Sequence, residues 1–233
     1  MALPQVDLPL TEIEVPGFKK KVNFRPFVVK EEKILVMASE SGDINDMMKA
    51  TQQVITNCSF GKVDAENLPL FALQKVFLDL RSISISSNVD LNLKCGNCEK
   101  DYAHSLDLSK MEITYQEGHE NPIKINDTLQ LEMNYPNAQQ LTALLDNDIM
   151  EEVYKAAALC IKKIITEDET IETKKIAEEE VIEWMENLPV DSFVKIKDFF
   201  ATMPTLEHII EFKCVECENE NYMAMNGYLN FFV

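Results

Sequence analysis

Arginine, histidine and tryptophan are scarce in this sequence, and a long apolar run is missing altogether. Arg25 and Arg81 are the two guanidinium groups of the chain, which leaves little for bidentate recognition of phosphate or guanine. The net charge of −18 works in the same direction, because nucleic-acid phosphates need cationic partners. The one basic cluster, Lys19-Lys20-Lys21 with Arg25 and Lys30 nearby, reads as a solvated strand end. No apolar stretch approaches the roughly 18 residues that cross a bilayer, so no membrane segment is expected. The opening Met-Ala-Leu-Pro-Gln-Val-Asp lacks the basic region and apolar stretch of a secretory signal, which points to the cytoplasm. The three histidines, His104, His119 and His208, form no His-Glu-x-x-His pattern. A Gly-rich phosphate loop and a Gly-x-Ser-x-Gly elbow are also absent. With 40 acidic residues, close carboxylate pairs arise by chance and identify no acid–base dyad. The expected protein is not an enzyme.

What is present describes a folded protein with an internal echo. An apolar content of 46%, with six glycines and nine prolines, is that of a globular chain. Glu66-Asn67-Leu68-Pro69 returns as Glu186-Asn187-Leu188-Pro189. Asn67 precedes Cys95 by 28 positions and Asn187 precedes Cys214 by 27. Each interval ends in Lys-Cys-x-x-Cys, at Lys94-Cys95-Gly96-Asn97-Cys98 and Lys213-Cys214-Val215-Glu216-Cys217. Upstream, Val22-Asn23-Phe24-Arg25-Pro26 resembles Met133-Asn134-Tyr135-Pro136, and both lead into helical patterning.

Asp43 is placed to cap a helix carrying Met47, Met48, Thr51, Val54 and Ile55 on one face. Asp148 similarly precedes Val153, Ala156, Ala157, Cys160, Ile161 and Ile164, read as one helix. Cys58 and Cys160 fall late in these helices and are expected to be buried and inert. After each Asn-Leu-Pro comes another helix: Leu73, Phe77 and Leu80 mark the first. Phe193, Ile196, Phe199 and Phe200 mark the second, with Asp191 as its cap and Pro204 as its stop. Strands are expected at Val89–Leu93 and Ile209–Phe212, with returning strands near Tyr102–Leu106 and Tyr222–Leu229, and His208 just before one of them. An extra acidic helix through Lys175, Ile176, Val181 and Met185 should turn Glu178, Glu179 and Glu180 to water. The apolar end Leu229-Asn230-Phe231-Phe232-Val233 reads as a core strand or a partner-binding tail. The expected fold is α+β, two degenerate repeats of strands plus helices over 1–115 and 120–233, joined by a shared four-cysteine zinc ribbon.

Cys95, Cys98, Cys214 and Cys217 are the candidate metal ligands. Thiolates suit a borderline-soft ion, and two Cys-x-x-Cys turns complete a tetrahedral shell with no position left for water. One structural Zn2+ is therefore expected. The 115 residues between Cys98 and Cys214 exceed the span of a compact finger, and a duplication that contributes one hairpin per half accounts for this. Gly96 eases the first turn, and Lys94 and Lys213 can offset part of the net negative charge of a Zn(Cys)4 centre. Disulfides and thiol redox chemistry are the rivals. A redox Cys-x-x-Cys usually opens a helix, and neither pair has helical sequence after it.

The run Asn23-Phe24-Arg25-Pro26-Phe27-Val28-Val29-Lys30-Glu31-Glu32-Lys33-Ile34-Leu35 resembles the bacteriophage T4-type baseplate hub subunit proteins. The likeness continues through Glu40-Ser41-Gly42-Asp43, Asn67-Leu68-Pro69 and both Lys-Cys-x-x-Cys pairs. This resemblance implies a non-enzymatic part in building a phage tail baseplate hub. It implies other hub or tape-measure proteins as partners, and a place in the host cytoplasm during assembly or in the virion. A zinc-ribbon nucleic-acid or transcription module is the alternative, which the acidic charge disfavours, and a thiol oxidoreductase is a third.

Overall fold

Alternating apolar and polar residues pull two short segments at the start of the chain into a hairpin. The computed structural model describes residues 6–17, 21–145 and 150–226. Strand β1 (Thr11–Ile13) pairs antiparallel with β2 (Val22–Phe24) and buries Ile13 and Phe24. Helix α1 (Val29–Ser41) begins where Glu31 turns back on the chain. Its carboxylate accepts from the Val28 amide at 3.1 Å and from both terminal nitrogens of Arg25, at 2.8 and 3.2 Å. The Phe-Arg-Pro-Phe segment is thus tied to the helix it precedes. Gly42 ends α1 with φ of 69°, a left-handed conformation that costs glycine little. Asp43 caps α2 (Ile44–Cys58) as expected, accepting from the Asn45 amide at 2.7 Å. The helix buries Val54, Ile55 and Cys58.

Helix α3 (Leu70–Ser84) follows Asn-Leu-Pro and buries Leu73, Phe77 and Leu80. Strands β3 (Asn88–Lys94) and β4 (Asp101–Asp107) form the first cysteine hairpin, and β5 (Glu112–Thr114) comes next. The chain then lays down β6 (Ile123–Lys124), β7 (Leu129–Met133), α4 (Ala138–Leu145) and α5 (Met150–Leu159). After them come β8 (Ile161–Thr166), β9 (Thr170–Glu172), α6 (Glu178–Glu186) and α7 (Val190–Thr202). It ends in β10 (Thr205–Lys213) and β11 (Glu220–Asn226), the second cysteine hairpin.

Two compact units result. One comprises Met1–Asn67, Phe71–Thr114 and Thr205–Val233; the other comprises Leu68–Leu70 and Tyr115–Pro204. In the first, β10 pairs with both β11 and β5, so the returning chain is stitched to the segment that left it. In the second, β6-β7-β8-β9 is an antiparallel meander. Its core joins Leu131, Met133 and Ile164 of the sheet to Ala158 of α5, Val181 and Met185 of α6, and Ile196 and Phe199 of α7. Burial of such side chains contributes roughly 1.5–3 kcal/mol each.

The fold is mixed α+β, as expected. The helical spacing that runs through Ala156, Ala157, Cys160, Ile161 and Ile164 does not hold to its end: α5 stops at Leu159 and Ile161–Thr166 form β8. Isoleucine and threonine favour a strand there, and β7 offers a partner. Asp191 lies in the first turn of α7, but Pro189 holds the capping position, with the ring fixing an extended entrance. Lys175 and Ile176 precede α6 and belong to a 3-10 turn and its end. His208 lies inside β10. Asp148, Lys19, Lys20 and the terminal Leu229–Val233 lie outside the described residues. Whole repeats over 1–115 and 120–233 are not shown by this architecture, and the compact units divide elsewhere.

Candidate metal centre

Each Cys-x-x-Cys sits in a six-residue loop closed by a strand pair, Lys94 with Asp101 and Lys213 with Glu220. The two loops share one hydrogen-bond pattern. Cys95 N donates to Lys100 O at 2.9 Å, and Glu99 N donates to Cys95 O at 2.9 Å. Cys214 N donates to Asn219 O at 2.9 Å, and Glu218 N donates to Cys214 O at 3.0 Å. Glu99 and Glu218 both take φ of 57°, the left-handed region that non-glycine residues enter at some cost. That turn aims the next amide at a sulfur: Lys100 donates to Cys98, and Asn219 donates to Cys217.

The two loops meet. The sulfur of Cys95 lies 3.7 Å from that of Cys217, and the sulfur of Cys98 lies 3.6 Å from that of Cys214. All four sulfurs fall within 4.8 Å of one another and form a set that can hold a metal ion. The separations are too long for a disulfide, which needs about 2.05 Å. All four ligand candidates belong to the first compact unit, because β10 and β11 return to it. Tyr102 of β4 stacks on Phe212 of β10 with ring centroids 4.6 Å apart, so the hairpins also pack beneath the sulfurs. Lys100 and Glu216 pair across the two loops at 3.3 Å, while Lys213 pairs with Glu218 of its own loop at 3.3 Å.

Cys95, Cys98 and Cys217 hold their protons unequally. Amides of Cys98 and Asn97 lower Cys95 to about 6. Cys217 is lowered by the Asn219 amide and by the side chain of Asn97. Cys98, although the Lys100 amide donates to it, is pushed up to about 12, chiefly by its hydrogen bond with Cys217. Thiolates crowded at this distance repel one another, and a cation among them removes the conflict.

Asn221 joins the site without any sequence signal. Its Oδ1 accepts from the Gly96 amide at 2.9 Å, and its Nδ2 donates to the Cys95 sulfur at 3.6 Å. The second hairpin thus reaches into the first loop and orients a sulfur. A lone asparagine in strand sequence gave no signal of this. Gly96 has no left-handed φ, and its role is to present that amide.

The remaining candidates lie apart from the sulfurs. His104 is a half-buried residue of β4 beside Tyr102. His119, in the second unit, bonds Thr202 Oγ1 and Tyr135 Oη, each at 3.0 Å. Cys58 and Cys160 are fully buried, and burial raises their thiols to about 11 and about 12.

No curated relative and no solved structure matches the chain. The family described as T4 bacteriophage base plate protein matches it over residues 8–233. On that match, which spans nearly the whole sequence, the chain belongs to the T4 bacteriophage base plate protein family.

Proposed function

We propose that the protein is a non-enzymatic subunit or assembly factor of the phage baseplate hub, working through contacts with other phage structural proteins. The family match over residues 8–233 is the observation that carries this reading. Its place is the phage tail, either in the virion or in the host cytoplasm while tails are built, with hub or tape-measure proteins as partners. Among the described residues no helix is long and apolar enough to cross a membrane.

One structural Zn2+ on Cys95, Cys98, Cys214 and Cys217 completes the reading. A tetrahedron with Zn–S bonds of about 2.3 Å has edges of about 3.8 Å. The sulfur separations of 3.6 and 3.7 Å support that geometry. Four protein ligands leave no open position, so the metal acts as a staple between β3–β4 and β10–β11 and takes no part in a reaction. The shared bonding of the two loops also supports an ancient duplication over 1–115 and 120–233, with β8, β9 and α6 inserted in the second copy.

Deletion of the gene tests the assignment. Infected cells should then fail to build complete tails, and tagged protein from complemented cells should retain hub or tape-measure proteins. Normal tails in its absence would reject the proposal.

A further inference from the structure

The second unit holds a cavity of about 670 Å3 between its sheet and helix α6. This lies within the range of about 300–1,000 Å3 usual for ligand pockets. Its floor is apolar, made by Ile164, Ile171, Ile176, Val181 and Trp184. Its rim carries Glu167 and Asp168 from the β8–β9 turn and Glu180 from α6, all exposed. Among the described residues that line the cavity there is no lysine or arginine. The nearby Lys174 and Lys175 are drawn to Glu172, at 3.4 and 3.0 Å. The other rim polar groups close their own turns: Asn126 Oδ1 accepts from Thr128, and Thr166 Oγ1 bonds Glu169. Among the described residues the three carboxylates have no ion-pair partner, and no polar group is buried in the floor to orient a small polar ligand.

We infer that this groove docks a protein segment that carries an apolar anchor residue flanked by lysine or arginine. The floor takes the anchor by burial from water. The rim takes the cationic flanks, and an anionic lipid or nucleic acid is repelled by the same three carboxylates. This inference rests on the baseplate reading for the identity of the partner but not for the chemistry of the groove. It gives that reading a specific surface, on the unit that does not hold the cysteines.

Trp184 is the single tryptophan of the chain and lies in the groove, so its fluorescence reports occupancy directly. The full chain is titrated with synthetic peptides bearing a central Leu or Phe flanked by Lys, by Ser or by Glu. Lys-flanked peptides should shift the emission saturably, bind about tenfold more tightly than Ser-flanked ones, and weaken as salt rises. Combined Glu167→Gln, Asp168→Asn and Glu180→Gln should remove that advantage, since all three side chains are exposed and the fold does not depend on them. Ile171→Glu should abolish binding, with the far-ultraviolet spectrum unchanged.

Equal affinity for Lys- and Ser-flanked peptides, or full binding by the charge-neutral variant, overturns the inference. Concentration-dependent dimerisation lost in Ile171→Glu also overturns it, by assigning the groove to a second copy. Partner capture from infected cells separates the two readings. If the charge-neutral variant keeps its baseplate partners, the groove is wrong and the baseplate reading stands. If the wild type captures none while the Lys-flanked peptides bind, the baseplate reading is wrong and the groove stands.

Discussion

Replacing Cys214 by serine removes one of the four sulfurs while changing little volume, and its cost follows from binding linkage. A bound ion would link the hairpin of Cys95 and Cys98 to that of Cys214 and Cys217. An ion that binds the folded chain and leaves on unfolding stabilises it by its binding free energy at the concentration present. With free zinc about a thousandfold above the wild-type Kd, that is about 4 kcal/mol. Three sulfurs hold the ion far more weakly than four, so the variant forgoes most of it. For a chain of this size, 1 kcal/mol moves the melting temperature by about 2–4 °C. Cys214→Ser should therefore melt about 8–16 °C below the wild type when both hold zinc-containing buffer, measured by calorimetry. A strong chelator should bring the two curves together, because the wild type then loses the same link. A variant within 2 °C of the wild type in zinc refutes the reasoning. So does a gap of equal size in chelator, since that traces the loss to packing and not to the metal.

Three other perturbations probe the scaffold. Glu31→Ala strands the Arg25 guanidinium and the Val28 amide at the start of α1, and should cost about 3 kcal/mol in denaturant melts. Glu31 sits below the usual carboxylate range: burial is the largest influence and opposes its charge, but the Arg25 bond, the backbone amides and the Arg25 charge together outweigh it, so this stability holds above about pH 4.5 and is lost in acid. Arg81 is 8% exposed and its Nη1 lacks a hydrogen-bond partner among the described residues, so Arg81→Met should stabilise by about 1 kcal/mol; a lower melting point refutes this. Burial lowers His119 from its ordinary value of 6.5, so the unfolded chain takes up its proton first. Stability from this source is complete above about pH 6.5 and falls as the solution is acidified. His119→Gln should flatten that fall in melts between pH 7.5 and 5.5, and an unchanged slope refutes the assignment.

Apart from the meeting of Cys95 and Cys98 with Cys214 and Cys217, which their shared metal-ligand chemistry announces, the features legible in the sequence are local ones. Asp43 before an apolar stripe, and strand patterning on both sides of each Cys-x-x-Cys, depend on neighbours a few residues away. The structure reproduces them as the cap of α2 and as two hairpins with one bonding pattern. Ile161–Thr166 was misread because its isoleucines fit a helical face and a strand equally well, and only the partner β7 decides. The grouping of β10 and β11 with the first unit was out of reach for the same reason. It depends on pairing between Thr205–Glu207 and Glu112–Thr114, which no short-range pattern announces. Asn221 and His119 act through distant partners, the Gly96 amide and Thr202, and their roles appear only when the chain is folded.

In the proposed centre, four sulfurs from two hairpins close around a single ion. Elemental analysis of the purified full chain, after dialysis against metal-free buffer, tests it most directly. One zinc per chain, lost when Cys95 and Cys214 are both replaced by serine, is the predicted result. A chain free of zinc, or one that keeps its zinc without those two sulfurs, contradicts the account.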